Sequence, residues 1–140
     1  MASIMDLAKE YGKAWAARDA GKIASLHAKD CVYENEPAGI MLKGRDAVKA
    51  YAEGFFSAFP DVDFEVKSQF GSGNFVASEI VMSGTNKGPL PEGAPATGKS
   101  FSMKLCGVLE CEGNLVKRST NYWDMAAFAK QLGLTPLAPG

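Results

Sequence analysis

The hydrophobic period of this chain changes at Pro60. Before it apolar residues recur every three to four positions, and after it every second one. Ile4, Leu7, Ala8, Tyr11, Ala14 and Trp15 share one helix face, and Ser3 with Asp6 makes a capping-box variant at its start. A second, short helix begins near Ala20, with Ile23, Leu26 and His27 on one side. Cys31–Glu36 reads as a strand ended by Pro37-Ala38-Gly39. Gly44-Arg45-Asp46 then leads into a helix whose Val48, Tyr51, Ala52, Phe55, Phe56 and Phe59 form a broad apolar stripe, stopped by Pro60. From there Val62, Phe64 and Val66 alternate with Asp63, Glu65 and Lys67. Gly71-Ser72-Gly73-Asn74 signals a hairpin into the strand Phe75–Thr85. Lys99–Cys111 and Leu115–Trp123 form a last hairpin across Glu112-Gly113-Asn114. Asp124 opens a helical run, Met125–Leu132, that Gly133 closes.

Helices first, then strands, then one helix predict an α+β class. The N-terminal helices pack inside a strongly curved, mostly antiparallel sheet, giving a cone-shaped α+β barrel around a cavity. At 140 residues the chain is expected to be one domain, residues 1–140. Residues 86–98, rich in proline and glycine, are expected to form a long mobile surface loop able to gate that cavity.

A net charge of −1 without a basic cluster gives no electrostatic footprint for nucleic acid. The apolar runs are far shorter than a membrane span, and no charged segment precedes an apolar one at the N-terminus, so a cytoplasmic location without membrane partners is expected. Cys31, Cys106 and Cys111 contain no Cys-x-x-Cys pair, and His27 is the only histidine. Reduced thiols and no metal site are therefore expected.

The strand Leu115–Trp123 is polar on both faces. Val116, Arg118, Thr120 and Tyr122 share one face with Asp124, and Leu115, Lys117, Ser119, Asn121 and Trp123 share the other. A strand this polar in a small protein suggests a wet or ligand-filled cavity. The expected inward face is that of Arg118, Thr120, Tyr122 and Asp124.

Several local motifs stand in a fixed order. They are Trp15-Ala-Ala-Arg-Asp, Gly44-Arg-Asp-Ala-Val, Phe55-Phe-Ser-Ala-Phe-Pro-Asp-Val, Ser83-Gly-Thr, Pro95-Ala-Thr-Gly-Lys, Tyr122-Trp-Asp and Gln131-Leu-Gly-Leu. Over nearly the whole chain this order resembles the SnoaL-like branch of the nuclear transport factor 2-like superfamily. That fold hosts polyketide cyclases, isomerases, dehydratases, epoxide hydrolases and plain binding domains, so the resemblance constrains fold more than chemistry. It also implies a homodimer packed through the sheet.

Against the related ketosteroid isomerases, Glu36 before Pro37 matches the carboxylate that removes a proton beside a carbonyl, and Tyr11 matches the oxyanion-donating tyrosine. The worked example of a raised carboxyl pKa and a tyrosine-lined oxyanion hole is that same enzyme. Its second acid corresponds here to Cys106, a poor donor. The Arg and Asp of the fold's epoxide hydrolases correspond to Lys104 and Cys106, which excludes that chemistry. In cyclases of the family an acid near the end of the last strand acts as acid/base, and Asp124 stands there, although an acid before a helix also serves as its cap.

These readings predict a cofactor-independent acid/base enzyme acting on a small hydrophobic carbonyl compound, by cyclisation, isomerisation or dehydration through an enolate. Glu36 or Asp124 is the expected base, Tyr11 the oxyanion donor, and His27 or Arg118 the charge relay. Trp15, Phe55, Phe59, Cys106, Arg118, Thr120 and Tyr122 are expected against the substrate. The alternative is a non-catalytic binding protein of the same fold. Tyr11 and His27 as satisfied core residues, and Glu36 as a solvated turn residue or a structural partner of Arg118, are the corresponding bland readings.

Overall fold

The computed structural model describes residues 3–90 and 93–134. Four α-helices pack against one curved, unclosed sheet of six strands. They are α1 (Ile4–Ala16), α2 (Ala20–Ser25), α3 (Arg45–Ala58) and α4 (Met125–Leu132). The strands are β1 (His27–Asn35), β2 (Ile40–Lys43), β3 (Asp63–Ser72), β4 (Phe75–Thr85), β5 (Ser100–Glu112) and β6 (Leu115–Trp123), in the spatial order β2-β1-β6-β5-β4-β3. All neighbours run antiparallel except β1 and β6, which are parallel. No described helix is long and apolar enough to cross a membrane.

The helix signals in the sequence operate as local chemistry requires. Ser3 Oγ accepts from the Asp6 amide at 3.1 Å and Asp6 returns the bond to the Ser3 amide, so two free amides are satisfied reciprocally. Asp124 caps α4 by accepting from the Ala127 amide, and Gly133 ends that helix at φ +71°, a conformation disfavoured for residues with a Cβ. Two expectations change. The first strand starts at His27, not Cys31, and ends at Asn35, with Glu36–Ala38 forming a 3-10 turn. β2 escaped the periodicity because four residues between Gly39 and Gly44 are too few to establish one.

Two apolar clusters hold the layers together. One joins Leu7, Tyr11, Ile23, Val48 and Val116 beneath α1 and α3. The other joins Phe59, Val62, Phe101, Phe128 and Leu132 around the end of α3 and under α4.

The segment 86–98 is bound down where its composition predicted mobility; Pro91 and Glu92 lie outside the described residues. Asn86 is fully buried; its side chain donates to the Gly88 carbonyl and accepts from the Thr97 amide. The amides of Lys87 and Gly88 both donate to the Ala58 carbonyl, closing the segment onto α3. A Cβ on Gly88 would stand 2.5 Å from the Ser57 carbonyl oxygen, so only glycine permits this approach. Leu90 is 5% exposed within the Phe59 cluster, a burial of about 1.5–3 kcal/mol. The amides of Asn86, Lys87 and Gly98 are accordingly expected to be protected in native-state hydrogen exchange without ligand. Exchange there at the rate of free peptide would restore the mobile-loop reading.

Candidate active site

Strand register decides which side chains can meet a ligand. On β5 and β6 the pairs Leu105–Trp123, Gly107–Asn121 and Leu109–Ser119 point toward the helices, while Cys106–Tyr122, Val108–Thr120 and Glu110–Arg118 point away. The reversal has a local cause. Cys111 pairs with Val116 but Glu110 pairs with Arg118, so Lys117 is an extra residue on β6. Such a bulge shifts the alternation by one, and Val116 is followed on the inner side by Ser119.

The inner faces enclose a cavity of about 1150 Å3, above the roughly 300–1,000 Å3 usual for small-ligand sites. Nine aromatic side chains lie in its described wall, interleaved with aliphatic and methionine side chains. Trp15 stacks on Tyr33 at 6.1 Å between ring centroids and meets Phe55, Phe56 and Phe64 edge to face. Phe59, fully buried, adds the far side. Among these rings lie neutral polar groups: Tyr11, Tyr33, Asn35, Tyr51, Gln69, Ser78, Ser119 and Asn121. Among the described lining residues no Asp or Glu occurs, and Lys130, at the exposed edge on α4, is the one charged group.

Of the residues expected at the site, Tyr11, Trp15, Phe55 and Phe59 line the cavity, and His27 stands directly behind Tyr11. The others are not brought to it. Glu36 is exposed on the 3-10 turn, because the inward position at the end of β1 belongs to Asn35. Asp124 is exposed and occupied as the α4 cap. Arg118, Thr120 and Tyr122 take the outer face, a correction that follows from the bulge at Lys117, and Cys106 does so because it alternates on β5 with the inward Leu105 and Gly107. There Arg118 pairs with Glu110 at 3.0 Å and approaches Glu34, not Glu36, at 4.0 Å. Tyr122 is 49% exposed.

Tyr33, Asn35, Tyr51, Ser119 and Asn121 were missed. Trp123 carried the signal: a tryptophan is far more often buried than an arginine, and period two from Trp123 leads to Asn121 and Ser119. Asn35 accepts from the Trp123 indole and donates one N–H to the Tyr51 hydroxyl at 3.0 Å. Asn121 makes no hydrogen bond to a described residue, and its carboxamide lies over Gly107, where a Cβ would come within 3.3 Å of its oxygen.

One pair behind this wall is linked by a hydrogen bond. Tyr11 Oη lies 3.2 Å from His27 Nε2, and His27 Nδ1 lies 2.8 Å from the Ile23 carbonyl oxygen. A carbonyl only accepts, so Nδ1 carries hydrogen and Nε2 of the neutral ring is the acceptor. Tyr11 therefore donates to His27. In the resting arrangement the Tyr11 proton is thus shared with His27, not offered to the cavity. Burial pushes the Tyr11 phenol up to about 12, partly opposed by Ser119 and Trp15. Burial likewise holds His27 below its ordinary 6.5, with the Ile23 carbonyl opposing and Arg45, which donates to the His27 carbonyl, reinforcing.

A stability effect follows. Below pH 6.5 the unfolded chain takes up a proton at His27 that the native state resists, so the unfolded state binds more protons and stability rises with pH across that window. Above it the contribution is flat. Urea unfolding from pH 7.5 downward is expected to show a loss below pH 6.5, at most about 1.4 kcal/mol per pH unit from this group. His27→Gln should lack that component; an unchanged profile in the variant would assign the loss elsewhere.

The sequence model of the SnoaL-like polyketide cyclases matches residues 5–132. Among solved structures, AclR of Streptomyces galilaeus, described as a candidate hydroxylase, is 29% identical with a TM-score of 0.79, covering 97% of this chain and 84% of its own. A candidate SnoaL-like polyketide cyclase from Jannaschia sp. CCS1 superposes with a TM-score of 0.84 at 14% identity, covering 95% and 93%. A protein of ketosteroid isomerase-like fold from Catenulispora acidiphila DSM 44928, solved with trimethylamine, gives 0.81 at 19% identity, covering 96% and 98%. The last two likenesses concern the fold alone.

Proposed function

The chain belongs to the SnoaL-like polyketide cyclase family, and from that premise we propose that it is a cofactor-independent acid/base catalyst for a hydrophobic carbonyl compound held inside the cavity. The supporting observation is the hydrogen-bonded chain from Tyr11, a cavity-lining residue, through His27 to the Ile23 carbonyl. The substrate's carbon-bound proton passes to Tyr11 Oη as the tyrosine's own proton passes to His27 Nε2. The products are an enolate and an imidazolium whose Nδ1–H stays on Ile23. Neither phenolate nor free imidazolium is needed at rest, in keeping with the direction of both pKa shifts.

Buried His27 is a weaker base than free imidazole. The fitting substrate is therefore already a good carbon acid, such as a β-dicarbonyl, whose aromatic or polycyclic body suits the ring-lined wall. Cyclisation, isomerisation and dehydration share this first step.

Heavy-water exchange tests the reading. Wild-type protein with bulky ketones and β-dicarbonyls should give saturable deuterium uptake at the carbon between the carbonyls, read by mass spectrometry. The Glu36→Gln, Asp124→Asn double variant should retain it, since both carboxylates lie off the cavity. Loss in that variant would return the base to one of them. A second reading, a binding protein without turnover, is favoured by the absence of Asp and Glu from the described lining; binding without exchange across the whole panel would select it.

A further inference from the structure

The relay accounts for the proton but leaves the developing oxyanion without a donor. Tyr11 cannot supply one while its hydrogen is on His27. A hydroxyl from Ser119 donating to Tyr11 would not change this, because Ser119 would then present only lone pairs. Asn35 has its carbonyl oxygen committed to the Trp123 indole and one of its two N–H groups to the Tyr51 hydroxyl, which fixes the amide plane and leaves a single N–H over.

Tyr33 stands differently. It points inward two residues before the end of β1, in register with Ser119 on β6, and is 6% exposed, its ring set between Trp15 and Tyr51. Its hydroxyl makes no hydrogen bond to any described residue. It nevertheless reaches open cavity space, since no fully enclosed side-chain N or O among the described residues lacks a partner. A phenol held in an aromatic wall with an uncommitted O–H is aimed at whatever fills the cavity.

We propose that Tyr33 is a catalytic residue: its O–H donates to the substrate carbonyl oxygen and holds that oxygen as the enolate forms, while Tyr11 and His27 take the carbon-bound proton. The two phenols thus have opposite polarity, Tyr33 giving a hydrogen and Tyr11 receiving one. Burial, with Tyr51 and Tyr11 beside it, keeps the Tyr33 phenol far from ionising, so it remains a donor at any working pH. A water-poor aromatic wall also strengthens such a bond. The assignment rests on the acid/base reading above.

Two ligands of one shape read it without turnover: 2-acetylnaphthalene and 2-ethylnaphthalene, which lacks the carbonyl oxygen. Calorimetry gives the affinity ratio of ketone to hydrocarbon in each protein. Tyr33→Phe should lower that ratio about five- to tenfold, the worth of one neutral hydrogen bond, while Tyr11→Phe leaves it within about twofold. The Tyr33→Phe melting midpoint should not fall, because the hydroxyl bonds nothing in the described protein. Deuterium uptake by a β-dicarbonyl should drop about 10²-fold in the same variant.

A ratio unchanged by Tyr33→Phe, or reduced instead by Tyr11→Phe or Asn121→Leu, overturns the assignment. Failure of both ligands to bind wild type would reject the cavity as the site. A Tyr33-dependent ratio with no exchange by wild type would keep Tyr33 as a carbonyl-binding residue and reject catalysis alone.

Discussion

Replacing Phe59 by alanine is expected to cost about 3–5 kcal/mol of unfolding free energy, the usual range for a fully enclosed phenylalanine. Phe59 is 0% exposed at the C-terminal end of α3, with ring centroids 5.2 Å from Phe55, 5.2 Å from Phe101 and 6.0 Å from Phe128. It is therefore the point where α3, β5 and α4 meet. The hole left by its ring opens onto an existing cavity, which the surrounding helices and sheet hold apart, so collapse recovers little. Because Phe59 is also part of the cavity wall, the same substitution should weaken binding of a flat apolar ligand. Urea unfolding followed by circular dichroism measures the first effect. A loss below about 1 kcal/mol would mean that α4 and the segment carrying Leu90 close over the gap, and that the cavity is a soft space.

The parts of this enclosure that were legible in sequence are those set by neighbours along the chain. Ser3, Asp6, Asp124 and Gly133 act on amides and dihedrals within one turn of themselves, and each does in the fold what its position announced. The strand bounds of β4 and β6 followed from alternation and turn residues in the same way. Face assignment did not, because it is a property of pairing. One extra residue at Lys117, visible only when β6 is laid beside β5, moves Arg118, Thr120 and Tyr122 outward and brings Ser119 and Asn121 in. The same limit separated Asn35 from Glu36. Both are polar and adjacent, and only the register against β6 puts the amide inside and the carboxylate in solvent.

The corrected faces change the chemistry available. A cavity ringed by Trp, Tyr and Phe, with amides and hydroxyls but no described carboxylate, would impose a large desolvation cost on a resting anion. It accommodates neutral groups that exchange hydrogens. On the proposed reading a tyrosine–histidine acceptor takes the place of the expected carboxylate base, and its charge exists only while the enolate does. Attraction between imidazolium and enolate in a poorly screened interior then offsets part of the cost of protonating His27.

His27→Gln is the substitution expected to separate this mechanism from a structural role for the pair. Glutamine keeps a carbonyl oxygen to accept from Tyr11 and an N–H to offer the Ile23 carbonyl, but has no basic lone pair to receive the proton. Catalysed deuterium uptake should fall about 10²–10⁴-fold, the usual worth of a positioned base, while the Kd for a non-exchanging ketone stays within about threefold. The pH profile carries the sharper distinction. Protonated His27 has no acceptor at Nε2, so the wild-type rate should decline on the acid side at the native pKa of His27. Burial holds that value below 6.5, and the plateau should accordingly persist below the pH at which free imidazole loses its base form. The small residual rate of His27→Gln should show no such limb. If the variant loses ligand binding in proportion to rate, the pair only shapes the wall. If the acid limb survives in the variant, another group is the base.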